Sequence, residues 1–413
     1  MKVVVLGAGI VGITTAWELM RDGHEVTVIE RQAGPALGTS YANAGLIAPS
    51  HSFSWASPRA PKILLKSLYL PGQALRFRPG LDPHLWTWSA RFLRNCTAAR
   101  AVRNTRRKLR LARYSAERLH AIAADAGIGF HGVAGGLLYL YRNPQTLERG
   151  AANMAILREE GMDLRVLDAD AAVALDPSLA SARERIAGAV WCPDDGSGDA
   201  RVYTCALAAR CAEQGVAFLY DTQATGFARD GGRIAAVRTD REEIAGDLVV
   251  LCLGVWSPAL GRRLGLSLPV HPIKGYSVTL PIGPGHRPPT LGGVDEDNLV
   301  AYARFGDRLR VTATAEFAGW DTSHKPAAFE HMLARVRELY PEGADYDRPD
   351  HWAGLRPMTP EGTPILARTL GNLIVNTGHG HMGWTMAPGC ARIVADMVMG
   401  RTPAIPLDGM ELR

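Results

Sequence analysis

The chain has few of the features that mark specialised protein classes. Six cysteines (Cys96, Cys192, Cys205, Cys211, Cys252 and Cys390) are scattered over 413 residues, and no CxxC pair occurs. That pattern excludes a disulfide frame and a cysteine zinc site. It reads as ordinary thiols in a reducing compartment, and no metal is expected. Apolar runs such as 247–256 stop well short of the ~20 residues that a bilayer-spanning helix needs. Met1 leads directly into a strand-like run, 2–6, without a charged leader or small-residue cleavage site, so a cytoplasmic location is expected. With 47% hydrophobic and 21% charged residues, the composition is that of a globular protein and excludes disorder, collagen and coiled coil. A single core rarely grows past ~250–300 residues, so two domains are expected.

Charge is unevenly spread. Between Arg59 and Arg118 stand 15 Lys plus Arg against two acids, Asp82 and Glu117, which makes this segment +13 in a chain of net +5. Such a block favours an anionic surface, although a solvated helix face explains it as well. The stretches 64–70 and 85–93 interleave aromatic and basic residues, which suits a helix lying on an anionic leaflet. Peripheral contact of 59–118 with the cytoplasmic face of a membrane is therefore an expectation.

The N-terminus carries a motif with a mechanism. The strand-like run 2–6 enters Gly7-Ala8-Gly9-Ile10-Val11-Gly12, a helical pattern follows, and 23–30 closes the unit as a second strand ending at Glu30-Arg31. A GxGxxG between strand and helix in a βαβ unit of this length is a dinucleotide-binding fingerprint. Gly7 permits the tight turn, Gly9 admits a pyrophosphate, and Gly12 lets helix and strand pack closely. The helix N-terminus offers free N–H groups to phosphate. Glu30 is placed for ribose hydroxyls and would repel a 2′-phosphate, which argues against NADP.

Further segments suit a longer cofactor. The small, polar loop 39–46 includes Ser40, Asn43, Ala44, Gly45 and Leu46, and could supply donors to a flavin ring. An apolar strand runs to Gly254, with Trp256 just beyond. Near the C-terminus, Gly378, Gly380 and Gly383 again spell GxGxxG, followed by Trp384, Thr385 and a helical run. Too little chain follows for a returning strand. The expectation is a helix N-terminus whose positive end faces a flavin.

Together these segments resemble the D-amino-acid oxidase and glycine oxidase superfamily of FAD enzymes, and within it the bacterial D-amino acid dehydrogenases. The stretches that carry the resemblance are the βαβ unit, 40–45, 91–96, 274–277, 354–364, 376–387 and 400–403. The resemblance implies a Rossmann-like α/β FAD-binding domain built from 1–55, 185–257 and 350–413. A substrate and membrane-facing α+β domain with a mixed or antiparallel sheet would take 56–184 and 258–349. It implies non-covalent FAD, since no cysteine lies in 354–364, where some relatives attach the cofactor. It also implies oxidation of a D-amino acid to an imino acid, hydrolysis to a 2-oxo acid and ammonia, and electron transfer to a quinone.

That chemistry needs a clamped carboxylate, a neutral amine and a Cα–H held against the flavin. Arg356 is the expected clamp, because a guanidinium matches a carboxylate bidentately. Tyr276 could offer its hydroxyl to carboxylate or amine. Tyr302 and Arg304 alternate on one strand and could face the site together. His381 stands where glycine oxidase relatives carry arginine, and could touch the amine. Trp55 is a pocket or lid candidate, and the Pro- and Gly-rich stretch 281–293 a candidate cover. Rival readings are a cyclic D-amine dehydrogenase (D-proline or cis-4-hydroxy-D-proline), an oxygen-using oxidase, and a flavoprotein acting on RNA. The last lacks any RNA-binding module, and no nucleic-acid partner is expected.

Overall fold

The computed structural model describes residues 1–67, 75–78 and 80–412. Part of the aromatic and basic stretch 64–70 lies outside the described residues. Among those described, the first sheet has six strands in the order Ile365–Thr369, Leu373–Thr377, Leu248–Leu251, Lys2–Leu6, Glu25–Ile29 and Ala217–Leu219. All neighbours are parallel except the first pair. These strands read as continuous apolar runs because both faces are covered. One face packs on the helices Ile10–Arg21, Ala98–Ala126, Ala200–Glu213 and Gly383–Met399. The other packs on a three-stranded sheet formed by Ala224–Asp230, Arg233–Thr239 and Glu243–Ala245. Gly231 and Gly232 make the two-residue hairpin turn expected there.

The second sheet is mixed. Its order is Asp350–Met358, His271–Pro281, Arg308–Phe317, Val300–Phe305, Gly292–Asp295, Leu137–Tyr141, Gly188–Cys192 and Arg165–Asp168, with Leu75–Phe77 added beside Arg308–Phe317. The helix Glu330–Leu339 closes the core on one of its faces. The architecture is thus the α/β combination expected: a Rossmann-like parallel sheet beside a largely antiparallel one.

Three stretches fall differently from the expected division. The long helix Ala98–Ala126 buries Leu111, Ala112, Leu119, Ile122 and Ala123 against the helices of the parallel sheet. Its basic composition hides this apolar stripe. Gly188–Cys192 and Asp350–Met358 are strands of the mixed sheet, so residues 185–192 and 350–358 do not belong to the nucleotide-binding layer. The long helix starts at Thr97, whose hydroxyl accepts from Arg100 N, and stops at Gly127 with φ +62°.

Candidate active site

A cavity of about 840 Å³ takes its lining from both sheets. That lies in the size range of organic ligand sites, roughly 300–1,000 Å³. At the parallel sheet its wall includes Gly7, Gly9, Ile10, Val11, Glu30 and Arg31. Two glycines here are steric necessities. A β-carbon on Gly12 would stand 1.8 Å from the Gly7 carbonyl oxygen, and one on Gly7 would stand 2.8 Å from that of Cys252. Gly12 and Ala8 therefore shape the turn from behind rather than line the cavity. Gly9 precedes the helix Ile10–Arg21 without a side-chain cap, and Ile10 N donates to Ser40 Oγ at 3.0 Å. Glu30 accepts from Ala8 N at 2.8 Å and from Gln32 N at 2.9 Å, one bond per oxygen. Each oxygen keeps a lone pair for a ligand hydroxyl. The Arg31 guanidinium lies 4.1 Å from the Trp256 ring centroid, and Trp256 packs at 4.3 Å on Trp320.

The middle of the cavity is walled by Ser40, Asn43, Ala44, Gly45, Leu46, Gly254 and Trp256. Their backbone is tied down from three sides. Asn43 Oδ1 accepts from Gly45 N at 3.0 Å, and Arg310 Nη1 donates to Asn43 O at 3.1 Å. Thr385 Oγ1 donates to Leu46 O and accepts from Ala48 N, both at 3.2 Å. Gly380, Gly383, Trp384 and Thr385 also border the cavity. The helix Gly383–Met399 starts here with no side-chain cap, so its N-terminal N–H groups and positive dipole end meet the cavity. The Trp384 indole itself packs in the core on Tyr203, 5.0 Å between centroids. Gly378 stands behind the wall, against Thr359.

The remaining wall carries the candidate substrate residues. Arg356, on Asp350–Met358, donates through Nη1 to Thr314 O at 3.1 Å. No carboxylate among the described residues pairs with it. Burial lowers its pKa to about 10, so it stays cationic at neutral pH. The Tyr276 hydroxyl is already engaged: it donates to the fully buried Glu316 carboxylate, which also pairs with Arg78. Burial and that carboxylate hold the phenol above its ordinary pKa.

His381 lies on the wall, stacked on Trp55 at 4.8 Å and edge-on to His51 at 5.7 Å. The side-chain Nε2 atoms of His379 and His381 are buried without partners. Burial pushes His379 down to about 3 and His51 to about 4, and drives His381 well below the usual range, so all three are neutral. Behind them Lys108 donates to Phe53 O at 2.9 Å and is pushed down to about 7 by burial.

Two expectations are corrected. Tyr302 and Arg304 do share a strand face, but it is the face away from the cavity. Ala301, one residue before Tyr302, lines the cavity, and side chains alternate along a strand. Tyr302 is bonded at 3.0 Å to Tyr340 in the second core, and the exposed Arg304 donates to Gly306 O at 2.9 Å. The stretch 281–293 lines the cavity nowhere, so it is no cover for it; Arg287 N donates to Glu342 O, and Pro288 O accepts from Ser178 Oγ, which ties the stretch down elsewhere. His51, Lys108, Glu316 and Trp320 escaped the sequence reading. They meet the site only through contacts between distant parts of the chain.

Comparison with known proteins shows the family and the fold. A match to the family described as FAD dependent oxidoreductase spans residues 2–397. The chain is 46% identical over 412 residues to D-amino acid dehydrogenase 2 of Mesorhizobium japonicum, covering 99% of each chain. It is 43% identical over 407 residues to D-amino acid dehydrogenase of Agrobacterium fabrum, covering 98% of this chain and 97% of the relative. Among solved structures, glycine oxidase from Geobacillus kaustophilus superposes with a TM-score of 0.76 at 24% identity, over 100% of this chain and 98% of the other. L-proline dehydrogenase from P. horikoshii gives 0.74 at 20%, over 100% and 96%. At that identity the likeness is one of fold.

Proposed function

The chain belongs to the FAD-dependent oxidoreductase family, and we propose that it oxidises D-amino acids to imino acids and passes the electrons to a quinone. The observation that carries this reading is Arg356: a half-buried cation on a cavity wall with a backbone carbonyl for a partner and, among the described residues, no counter-ion. A half-buried cation without a carboxylate partner suits an anionic ligand, and the substrate carboxylate supplies it. Relatives named D-amino acid dehydrogenase over the full length point to the same substrate class.

The residues present fit FAD. The Gly7–Gly12 turn and the start of the helix behind it suit the pyrophosphate, and Glu30 suits a ribose. The uncapped start of Gly383–Met399 suits the ring edge that gains negative charge. Cys252 is the one cysteine among the lining residues, and burial pushes its thiol up to about 12, so non-covalent binding is the reading. Bound FAD supplies the two-electron acceptor.

The chain's own residues orient the substrate. Arg356 holds the carboxylate and so fixes which face of Cα points inward. Neutral His379 and His381 leave Arg356 as the charge that meets it. The Cα–H leaves as hydride while the lone pair of the neutral amine forms C=N, and the nitrogen loses a proton. Water then hydrolyses the imino acid to 2-oxo acid and ammonia. Incubation with D-alanine and a short-chain quinone should yield pyruvate and ammonia and reduce the quinone. Peroxide in place of reduced quinone would assign the electrons to oxygen instead.

The acceptor reading has its own support. Ile63, Leu65, Trp86 and Leu93 are exposed on the helices Ala60–Ser67 and Pro83–Asn95, interleaved with exposed Lys62, Lys66 and Arg94. No helix among the described residues is long and apolar enough to cross a membrane. An apolar and basic helical face suits docking on the anionic leaflet where quinone resides. Cosedimentation with phosphatidylglycerol vesicles at low salt, absent with neutral vesicles, is the expected result. Indifference to anionic vesicles would overturn it.

A further inference from the structure

We propose that Asp82, His84 and His271 form a binding site for a divalent transition-metal ion of the zinc class, distinct from the flavin cavity. One donor atom from each side chain lies within 4.8 Å of the other two. His271 opens the strand His271–Pro281, and His84 lies in the first turn of the helix Pro83–Asn95. The two imidazoles stack with centroids 5.8 Å apart. Asp82 caps that helix, accepting from His84 N at 2.9 Å through Oδ1, which leaves Oδ2 free.

The second observation lies in His271. Its side chain is buried, and neither ring nitrogen has a hydrogen-bond partner. Trp88 and Phe317 wall the ring at 5.8 and 6.3 Å, and neither supplies its nitrogens with a hydrogen bond. Buried polar groups are normally satisfied, and an unsatisfied one asks what it is for.

The donor set selects the ion. Two imidazoles and one carboxylate suit zinc, copper or nickel, and are a poor match for calcium or magnesium, which take oxygen ligands. Metal bonds of about 2.0–2.2 Å require donors closer together than they now stand. The approach is open, because Asp82 is exposed and His84 half-buried, while His271 is fixed by its strand. A water on the solvent side would complete four-coordination. None of the three residues lines the flavin cavity. Binding would fasten the helix Pro83–Asn95 to the strand that continues to Gly275 and Tyr276.

The test is isothermal titration of the FAD-loaded protein with Zn²⁺, together with the visible absorption of added Co²⁺. One equivalent per chain and the intense band of four-coordinate cobalt are expected. His84→Ala and Asp82→Asn, both outside the cavity wall, should each weaken binding roughly tenfold or more while D-alanine still bleaches the flavin. Zn²⁺ should raise the melting temperature of the parent protein and not that of the double variant. No binding by the parent protein, or equal affinity in parent and double variant, would overturn the site.

Discussion

The guanidinium of Arg356 occupies the space over Gly275, where a β-carbon would come within 2.5 Å of Cζ. Gly275 pairs with Gly354 on the neighbouring strand, so Arg356, two residues further along and paired with Ile273, reaches it diagonally; the ladder of His271–Pro281 with Arg308–Phe317 shifts register just after Gly275. A glycine inside a strand commonly marks a close approach. Here it makes room for the guanidinium proposed to hold the substrate carboxylate.

Gly275→Ala should therefore displace Arg356 without unfolding the chain, because the clash is with the mobile end of a side chain. Catalytic efficiency should fall about 10–100-fold, mostly through KM, as misplacement by an ångström costs that much. The melting temperature should hardly move. Steady-state kinetics beside thermal unfolding separates the two effects.

Arg356→Leu removes the charge and Arg356→Lys keeps it while losing the planar fork. A hydrogen bond to a charged group contributes about 1.5–3 kcal/mol, so the leucine variant should lose at least tenfold to a hundredfold in kcat/KM. Lysine should restore only part of this. Both variants should still bind FAD, since Arg356 belongs to the substrate side; flavin content after gel filtration checks that.

Glu30→Gln should weaken FAD binding while the fold persists. The amide can still accept at one position, but it loses the charge that favours two backbone N–H donors, Ala8 and Gln32. Fluorescence titration of the deflavinated protein measures the shift, with about tenfold weaker binding expected for a lost charge-assisted contact.

The sites outside the catalytic wall also titrate. Asp195 accepts from Ser50 and from Tyr139, and burial raises its carboxyl to about 7. The unfolded value is near 3.9, so between about pH 4 and pH 7 the folded chain holds a proton that the unfolded chain lacks. Its contribution to stability is full below the unfolded pKa and is lost as pH rises through the folded one. Glu296, also raised to about 7 by burial, acts in the same direction. Asp195→Asn should flatten the fall in melting temperature between about pH 4 and pH 7.

The local parts of this design are legible in the sequence. Strand, glycine turn, helix and Glu30 all follow from residues within one βαβ unit. The C-terminal glycines and the helix behind them are legible for the same reason. Alternation says that Tyr302 and Arg304 share a face, but it cannot say which face, because both layers of the mixed sheet accept apolar neighbours. The stacking of Trp55 on His381 and the burial of Lys108 behind them depend on chain segments hundreds of residues apart meeting in space. Glu316 reads as one acid on an alternating strand until Tyr276 and Arg78 are seen against it.

The most direct measurement is the flavin absorbance of the purified protein, mixed without oxygen with the D- and L-forms of alanine, methionine and proline. Bleaching by D-forms alone is expected, with the Arg356→Leu variant slow to bleach. Bleaching by L-forms equally, or by none of these amino acids, would contradict a site built around a clamped D-amino acid.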